Sequence, residues 1–255
     1  PSSFSKHIRE NMAYSKTTIN EAINKSLIRL RTDYIDLYQI HWPERVTNFF
    51  GKRGYEFYKE DQWKYNFDII LDVLNENIKK GKIRNIGISN ETPWGLMKYI
   101  NESKESRPKI ISIQNPYSLL NRTFEIGNSE ICHKENIGLL AYSPLGFGTL
   151  TGKYLGGNMP KNARLTLFPH YDRFSKKESK KAIQKYYDLA KENGMSLTTM
   201  ALSFVNDRSF VTSNIIGATS IKQLKENIDS YKTLLSNELL EEINIIHNNQ
   251  PNPAP

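Results

Sequence analysis

Val211-Thr212-Ser213-Asn214-Ile215-Ile216-Gly217-Ala218-Thr219-Ser220-Ile221-Lys222-Gln223-Leu224-Lys225-Glu226-Asn227 reads as a β-branched strand that runs through a turn of small residues straight into a helix. Gly217, Ala218, Thr219 and Ser220 carry little side-chain bulk, so a ligand can approach the unpaired N–H groups at the start of the helix. Such a start favours phosphate through its aligned donors and its partial positive charge. In a barrel of alternating strands and helices, this is where a phosphate site often lies.

The same strand-then-helix grammar extends back through the chain. Apolar spacing predicts helices over 15–30, 67–80, 92–103, 125–136, 176–193 and 197–206, and further ones after Ser220 and over 237–247. Between them, short apolar runs predict strands over 34–40, 83–89, 109–114, 137–142 and 211–216. A long loop with scattered Gly and Pro fills 147–175. Alternation of this kind implies right-handed crossovers and a parallel sheet covered on both faces. A closed (β/α) barrel needs eight strands, whereas an open doubly wound sheet is satisfied by five, and the pattern alone does not choose between them.

Composition sets the outer bounds. At 255 residues, 38% hydrophobic and 24% charged, the chain is long enough for one α/β domain and is not of the disordered class. The net charge of +8 is spread over many segments, with pairs such as Lys79-Lys80, Lys176-Lys177 and Lys180-Lys181 on predicted polar helix faces. That reads as a solvated surface and not as a nucleic-acid patch. A single cysteine, Cys132, is compatible with a reducing compartment. No apolar run approaches the roughly 18 residues of a membrane helix, so the expectation is a cytoplasmic protein with no membrane partner.

Five segments carry a resemblance. They are Asp33-Tyr-Ile-Asp-Leu-Tyr-Gln-Ile-His41-Trp-Pro43, Gly81-Lys-Ile-Arg-Asn-Ile-Gly-Ile-Ser-Asn90, Ile113-Gln-Asn-Pro-Tyr117, Ala141-Tyr-Ser-Pro-Leu-Gly146 and the stretch from Gly217 to Asn227. In this order they resemble the aldo/keto reductases, in particular the Tas-like bacterial branch. The resemblance implies an eight-stranded (β/α) TIM barrel that reduces aldehydes or ketones with NADPH. It places His41 at the fourth strand end, facing the carbonyl of a small-molecule substrate. Ser89, Asn90 and Gln114 would hold the nicotinamide carboxamide, and Tyr142 would stack on the ring. Ser143, Leu145 and Gly146 would follow the pyrophosphate. Gly217, Thr219 and Ser220 would lie along the phosphates, with Gln223, Glu226 and Asn227 reaching the adenosine half. Elementary chemistry agrees: a carboxamide has one acceptor and two N–H donors, which Asn90 and Gln114 complement. An aromatic ring behind a nicotinamide leaves one face open to substrate.

Simpler readings stand beside these. His41 could be a structural histidine, Tyr142 barrel packing, Ser89-Asn90 a helix cap, and Glu226 and Asn227 exposed helix positions. The aromatics Phe49, Phe50, Tyr55, Phe57, Tyr58, Trp63 and Tyr65 either line a substrate pocket or fold onto one another.

The family's chemistry also needs a tyrosine proton donor, a lysine that depresses its pKa and an aspartate paired with that lysine. In the family these sit near the second and third strand ends, upstream of the helix that here begins near Ser15. No segment matches either strand. The first residue is Pro1 rather than Met. The expectation is therefore one aldo/keto reductase domain over 1–255, comprising the C-terminal five strand–helix units of a barrel whose first three strands are missing. The alternative is a non-catalytic nicotinamide-nucleotide-binding regulatory subunit. The coding sequence upstream of Pro1 separates the two.

Overall fold

The computed structural model describes residues 13–48, 50–103 and 107–255. Pro1 and Phe49 lie outside the described residues. The chain divides into two compact units, one formed by the described residues of 1–48, 55–114 and 130–138, the other by those of 49–54, 115–129 and 139–255.

In the first unit the order is α1 (Lys16–Leu30), β1 (Ile35–Ile40), α2 (Phe67–Lys79), β2 (Ile83–Ser89), α3 (Pro93–Glu102) and β3 (Ile110–Pro116), whose last two residues belong to the second unit. Helix α1 starts at a capping box: the Ser15 hydroxyl accepts from Thr18 N–H, and the Thr18 hydroxyl accepts from Ser15 N–H. It stops at Arg31, which adopts a left-handed φ of 55°. The strands pair in parallel, with Ile40 opposite Ile88 and Ser89 opposite Gln114. Helix faces bearing Ile19, Ile23, Ile70, Leu71 and Leu74 bury their apolar side chains, as do Ile86, Ile88 and Ile113 of the strands. Gly87 of the central strand shows how tight this is: a Cβ there would lie 2.3 Å from Ser112 Oγ and 3.1 Å from Gln39 Cγ.

The second unit contains β4 (Gly138–Tyr142), which enters it at Leu139, and β5 (Val211–Asn214), again parallel, with Ala141 opposite Asn214. Its helices are α5 (Arg164–Leu167), α6 (Lys177–Glu192), α7 (Leu197–Asn206), α8 (Ile221–Asp229) and α9 (Asn237–Asn249); α4 (Asn128–Glu135) is shared between the units. Tyr117, Leu120, Leu139, Leu150, Phe174, Met200 and Phe204 are fully buried.

Two expectations from sequence need correction. The helix expected over 125–136 begins only at Asn128, because a 3₁₀ turn (Thr123–Ile126) and Gly127 precede it. In that turn Glu125 is committed to Arg122 and Tyr117. The stretch 147–175 is also not a bare loop. It is a chain of short helical turns anchored by the buried Leu150, Leu165 and Phe174. Among the described residues no helix is long and apolar enough to cross a membrane.

Candidate active site

Parallel pairing in the first unit brings the C-terminal ends of three strands side by side, and the polar residues gather there. His41 follows the last residue of β1, Ser89 ends β2 with Asn90 next, and Gln114 lies opposite Ser89 on β3. Ser89 Oγ donates to the Gln114 carbonyl at 2.6 Å, and Asn90 N–H donates to the same oxygen at 3.0 Å. Asn90 Nδ2 donates to the His41 carbonyl at 2.8 Å and to Ser89 Oγ at 3.2 Å. Asn90 holds a left-handed φ of 55°, a conformation that asparagine tolerates better than most residues. The cap of α3 is neither Ser89 nor Asn90 but Thr92, whose hydroxyl accepts from Gly95 N–H. Among the described residues the Gln114 side-chain amide has no protein partner.

His41 stacks on Trp42, with ring centroids 4.3 Å apart and planes at 26°. Although His41 is exposed as a residue, the protein around it desolvates the ring in part and holds its pKa below 6.5, so the neutral form dominates at pH 7. His247, in the second unit, is depressed for the same first reason. The unfolded chain therefore takes up protons at these sites before the folded one does, and stability falls as pH drops from about 6.5 toward the folded-state values. Urea midpoints at pH 7.5 and 5.5 check this. A lower midpoint at pH 5.5 is the expected outcome, and equal midpoints would contradict it.

In the second unit, Tyr142 ends β4 and Ser143 turns the chain with a φ of 57°. Leu145 and Gly146 open the following turn; the Ser143 carbonyl accepts from Gly146 N–H and the Leu145 carbonyl from Gly148 N–H. A Cβ on Gly146, where φ is 51°, would come within 2.9 Å of Thr149 Oγ1 and 3.1 Å of the Phe174 ring. Burial pushes the Tyr142 phenol up to about 12, only partly opposed by Arg173, with which it hydrogen-bonds. It stays protonated at neutral pH, which suits a packing or stacking surface and not a proton shuttle. The Arg173 guanidinium is itself lowered by burial, and its Nε and Nη2 are buried without a hydrogen-bond partner.

Ile215 N–H donates to the Ala141 carbonyl, so the turn after β5 emerges at the same end of this strand pair as Tyr142. There Ser220 caps α8 by accepting from Gln223 N–H at 3.3 Å, and Thr219 N–H donates to Gln223 Oε1 at 2.9 Å. Asn227, buried on α8, donates to the Gly217 carbonyl at 3.3 Å. Glu226 accepts from the Ser196 hydroxyl at 2.7 Å, tying it to the start of α7. Two of the donors expected to meet phosphate are thus engaged locally. Gly217 is open: a Cβ there would find nothing within 4 Å.

Among its described residues the aromatic run after His41 folds onto itself only in part: Trp63 and Tyr65 meet with ring centroids 6.2 Å apart, whereas others stand out from the surface. Phe57 is 81% and Tyr55 64% exposed, while Trp63 packs edge-on against Phe67 and Trp94. Sequence reasoning passed over Arg45, Glu91 and Arg173. All are charged side chains whose burial leaves no local signature in sequence.

Polar residues gather at the C-terminal ends of the parallel strands in the first unit, and in the second a small-residue turn opens α8; both arrangements belong to an α/β fold. The aldo/keto reductase family model matches residues 6–248, and the chain belongs to that family. It is 49% identical to Protein tas of Escherichia coli (strain K12) over 251 residues, covering 98% of this chain and 72% of that protein. An aldo-keto reductase of Babesia bovis is 40% identical over 248 residues, covering 91% of this chain and 87% of the relative. NADH-specific methylglyoxal reductase of Escherichia coli is 29% identical over 222 residues, with 87% and 62% covered.

Family members generally use nicotinamide cofactors, and each unit, taken by itself, holds residues that suit part of one. The partnerless Gln114 amide suits a carboxamide, the open backbone at Gly217 suits close approach of a phosphate, and the two orphaned donors of Arg173 suit an anion.

Proposed function

We propose that this chain belongs to a cytoplasmic, NADPH-dependent reductase of small-molecule aldehydes or ketones, built as one domain on an eight-stranded (β/α) barrel. The observation that supports it best is the set of bonds joining His41, Ser89, Asn90 and Gln114 at three strand ends. A reduced nicotinamide, when bound, supplies the hydride. Gln114 and Asn90 would orient the carboxamide, and Tyr142 would back the ring so that one face meets substrate. Ser143, Leu145, Gly146, Gly217, Thr219 and Ser220 would run along the phosphates, with Gln223, Glu226 and Asn227 at the adenosine end. Neutral His41 would donate an N–H to the substrate carbonyl and polarise it. The chain would hold the cofactor-binding part of the chemistry and lack the tyrosine, lysine and aspartate that handle the proton.

Titration by cofactor fluorescence tests this. NADPH should bind, and NADH should bind more weakly. Gly217→Ala should leave the melting temperature unchanged or slightly raised, since the site has room and a glycine is removed from the unfolded chain. The same substitution should weaken NADPH about tenfold by crowding the phosphates, the equivalent of one lost charge-assisted hydrogen bond. A wild-type chain that binds neither nucleotide would overturn the reading. Preference for NADH would overturn its NADPH part.

A further inference from the structure

Arg45 and Glu91 form an ion pair inside the first unit, with side chains 9% and 3% exposed. The contact is two-pronged: Arg45 Nη2 donates to Glu91 Oε1, and Nη1 donates to Oε2 at 3.1 Å. Nη2 also reaches Thr92 Oγ1 at 3.0 Å, and Thr92 N–H donates to Glu91 Oε1 at 2.8 Å. The guanidinium lies 4.9 Å from the Trp94 ring centre and 5.7 Å from that of Phe67. Gly95 leaves the space. A Cβ there would sit 2.1 Å from Glu91 Oε1 and 2.5 Å from Arg45 Nη2.

Stability does not account for such a device. Burying two charges costs several kcal/mol per ion before their attraction is counted, and an apolar pair of similar volume often does as well or better. A glycine in the first turn of α3 adds about 1 kcal/mol relative to alanine. What the pair does supply is a fixed geometry, because it joins two particular backbone segments. Arg45 stands four residues after His41, and Glu91 directly follows Asn90. These segments already meet through the bond from Asn90 Nδ2 to the His41 carbonyl. The intervening residues are pinned as well: Tyr14 OH donates to the Trp42 carbonyl at 2.8 Å, and Glu44 accepts from Asn66 Nδ2 at 2.6 Å. Asn90 holds its left-handed backbone in the middle of this frame. Conformations of that kind persist where the surroundings over-determine them.

We propose that Arg45 and Glu91 are positioning residues, a buried clamp that fixes the backbone carrying His41 and Asn90 and so aims the His41 ring and the Asn90 amide. Neither touches cofactor or substrate. The consequence for the cofactor rests on the function proposed above, whereas the consequence for His41 does not.

The test compares the full chain with Arg45→Met and Glu91→Leu combined, and with Glu91→Gln alone. The His41 imidazole is followed by ¹H–¹³C NMR without cofactor, its signals assigned by their loss in His41→Asn. The combined variant should melt close to wild type, yet its His41 signals should move and titrate at a higher pH than in wild type as the ring loosens. Glu91→Gln should shift them the same way by less. If the combined variant does not fold, Glu91→Gln decides by the same criterion. A folded variant with wild-type His41 signals and titration overturns the proposal, and so does failure of both variants to fold. In parallel, the variants should weaken NADPH about tenfold while leaving 2′,5′-ADP, which lacks the nicotinamide half, unchanged. Equal losses for both ligands would also count against the clamp. Wild type binding neither ligand would sink the cofactor reading, while the NMR result still judges the clamp.

Discussion

Supplied with NADPH and a panel of aldehydes, the 255-residue polypeptide is expected to bind the cofactor and reduce nothing above background. Carbonyl reduction leaves negative charge on oxygen, which a proton donor with a tuned pKa must meet. A phenol near pKa 10 serves poorly unless a neighbour depresses it. Among the described tyrosines every resolved shift runs the other way. Tyr14, Tyr65, Tyr99, Tyr117, Tyr142 and Tyr186 are all raised, with burial the first cause in each. His41, neutral at pH 7, can donate a hydrogen bond to a carbonyl but is not charged to deliver a proton readily. Turnover should therefore fall at least a thousandfold below the ~10 s⁻¹ of an ordinary enzyme. A stopped-flow or plate assay of NADPH loss at 340 nm reads it. NADPH-dependent turnover that disappears in His41→Ala would prove the expectation wrong.

The second large effect is on stability, in the second unit. Arg122 is buried, and Glu125 accepts from its Nε at 2.7 Å and its Nη2 at 2.8 Å. Tyr117, fully buried, donates its hydroxyl to the same carboxylate. Arg122 Nη1 reaches Asn244 Oδ1 on α9 at 2.8 Å, and its guanidinium lies 5.2 Å from the Phe204 ring centre. These donors hold the Glu125 carboxyl below its usual range, against the opposing effect of burial. Glu125→Ala leaves a buried guanidinium and a buried phenol without their acceptor, and the expected loss is about 3 kcal/mol. For a chain of this size that lowers the melting temperature by about 9 °C. Glu125→Gln should lose less. Adding Arg122→Met to Glu125→Ala should recover much of the loss, since the stranded charge is then gone. Calorimetry of the three variants checks this, and the single-domain proposal expects one transition in each. Additive losses in the double variant would show that the two side chains act separately.

Much of the frame was legible from residue pattern alone. The strand over 83–89 and the helix over 197–206 fall where the apolar spacing puts them, because there the periodicity, the cap and the stop coincide. Boundaries slipped where side chains competed with the helix. Glu125 bonds to Arg122 and Tyr117, and the regular helix waits until Asn128. The residues of the candidate site were named through the family resemblance and not through pattern, since Ser, Asn, Gln or His at a strand end carries no role by itself. The Arg45–Glu91 pair was legible by neither route. Its partners stand 46 residues apart, and nothing in either neighbourhood says that those charges are dry.

Gly95 carries a last consequence, for how this sequence can drift. A methyl group at position 95 would push the Glu91 carboxylate and the Arg45 guanidinium from their present places, and the pair cannot lose one member without stranding the other. Positions 45, 91 and 95 are thus coupled, and joint replacement is expected to cost less than stepwise change. In a set of related chains, a larger residue at 95 should travel with the loss of both charges.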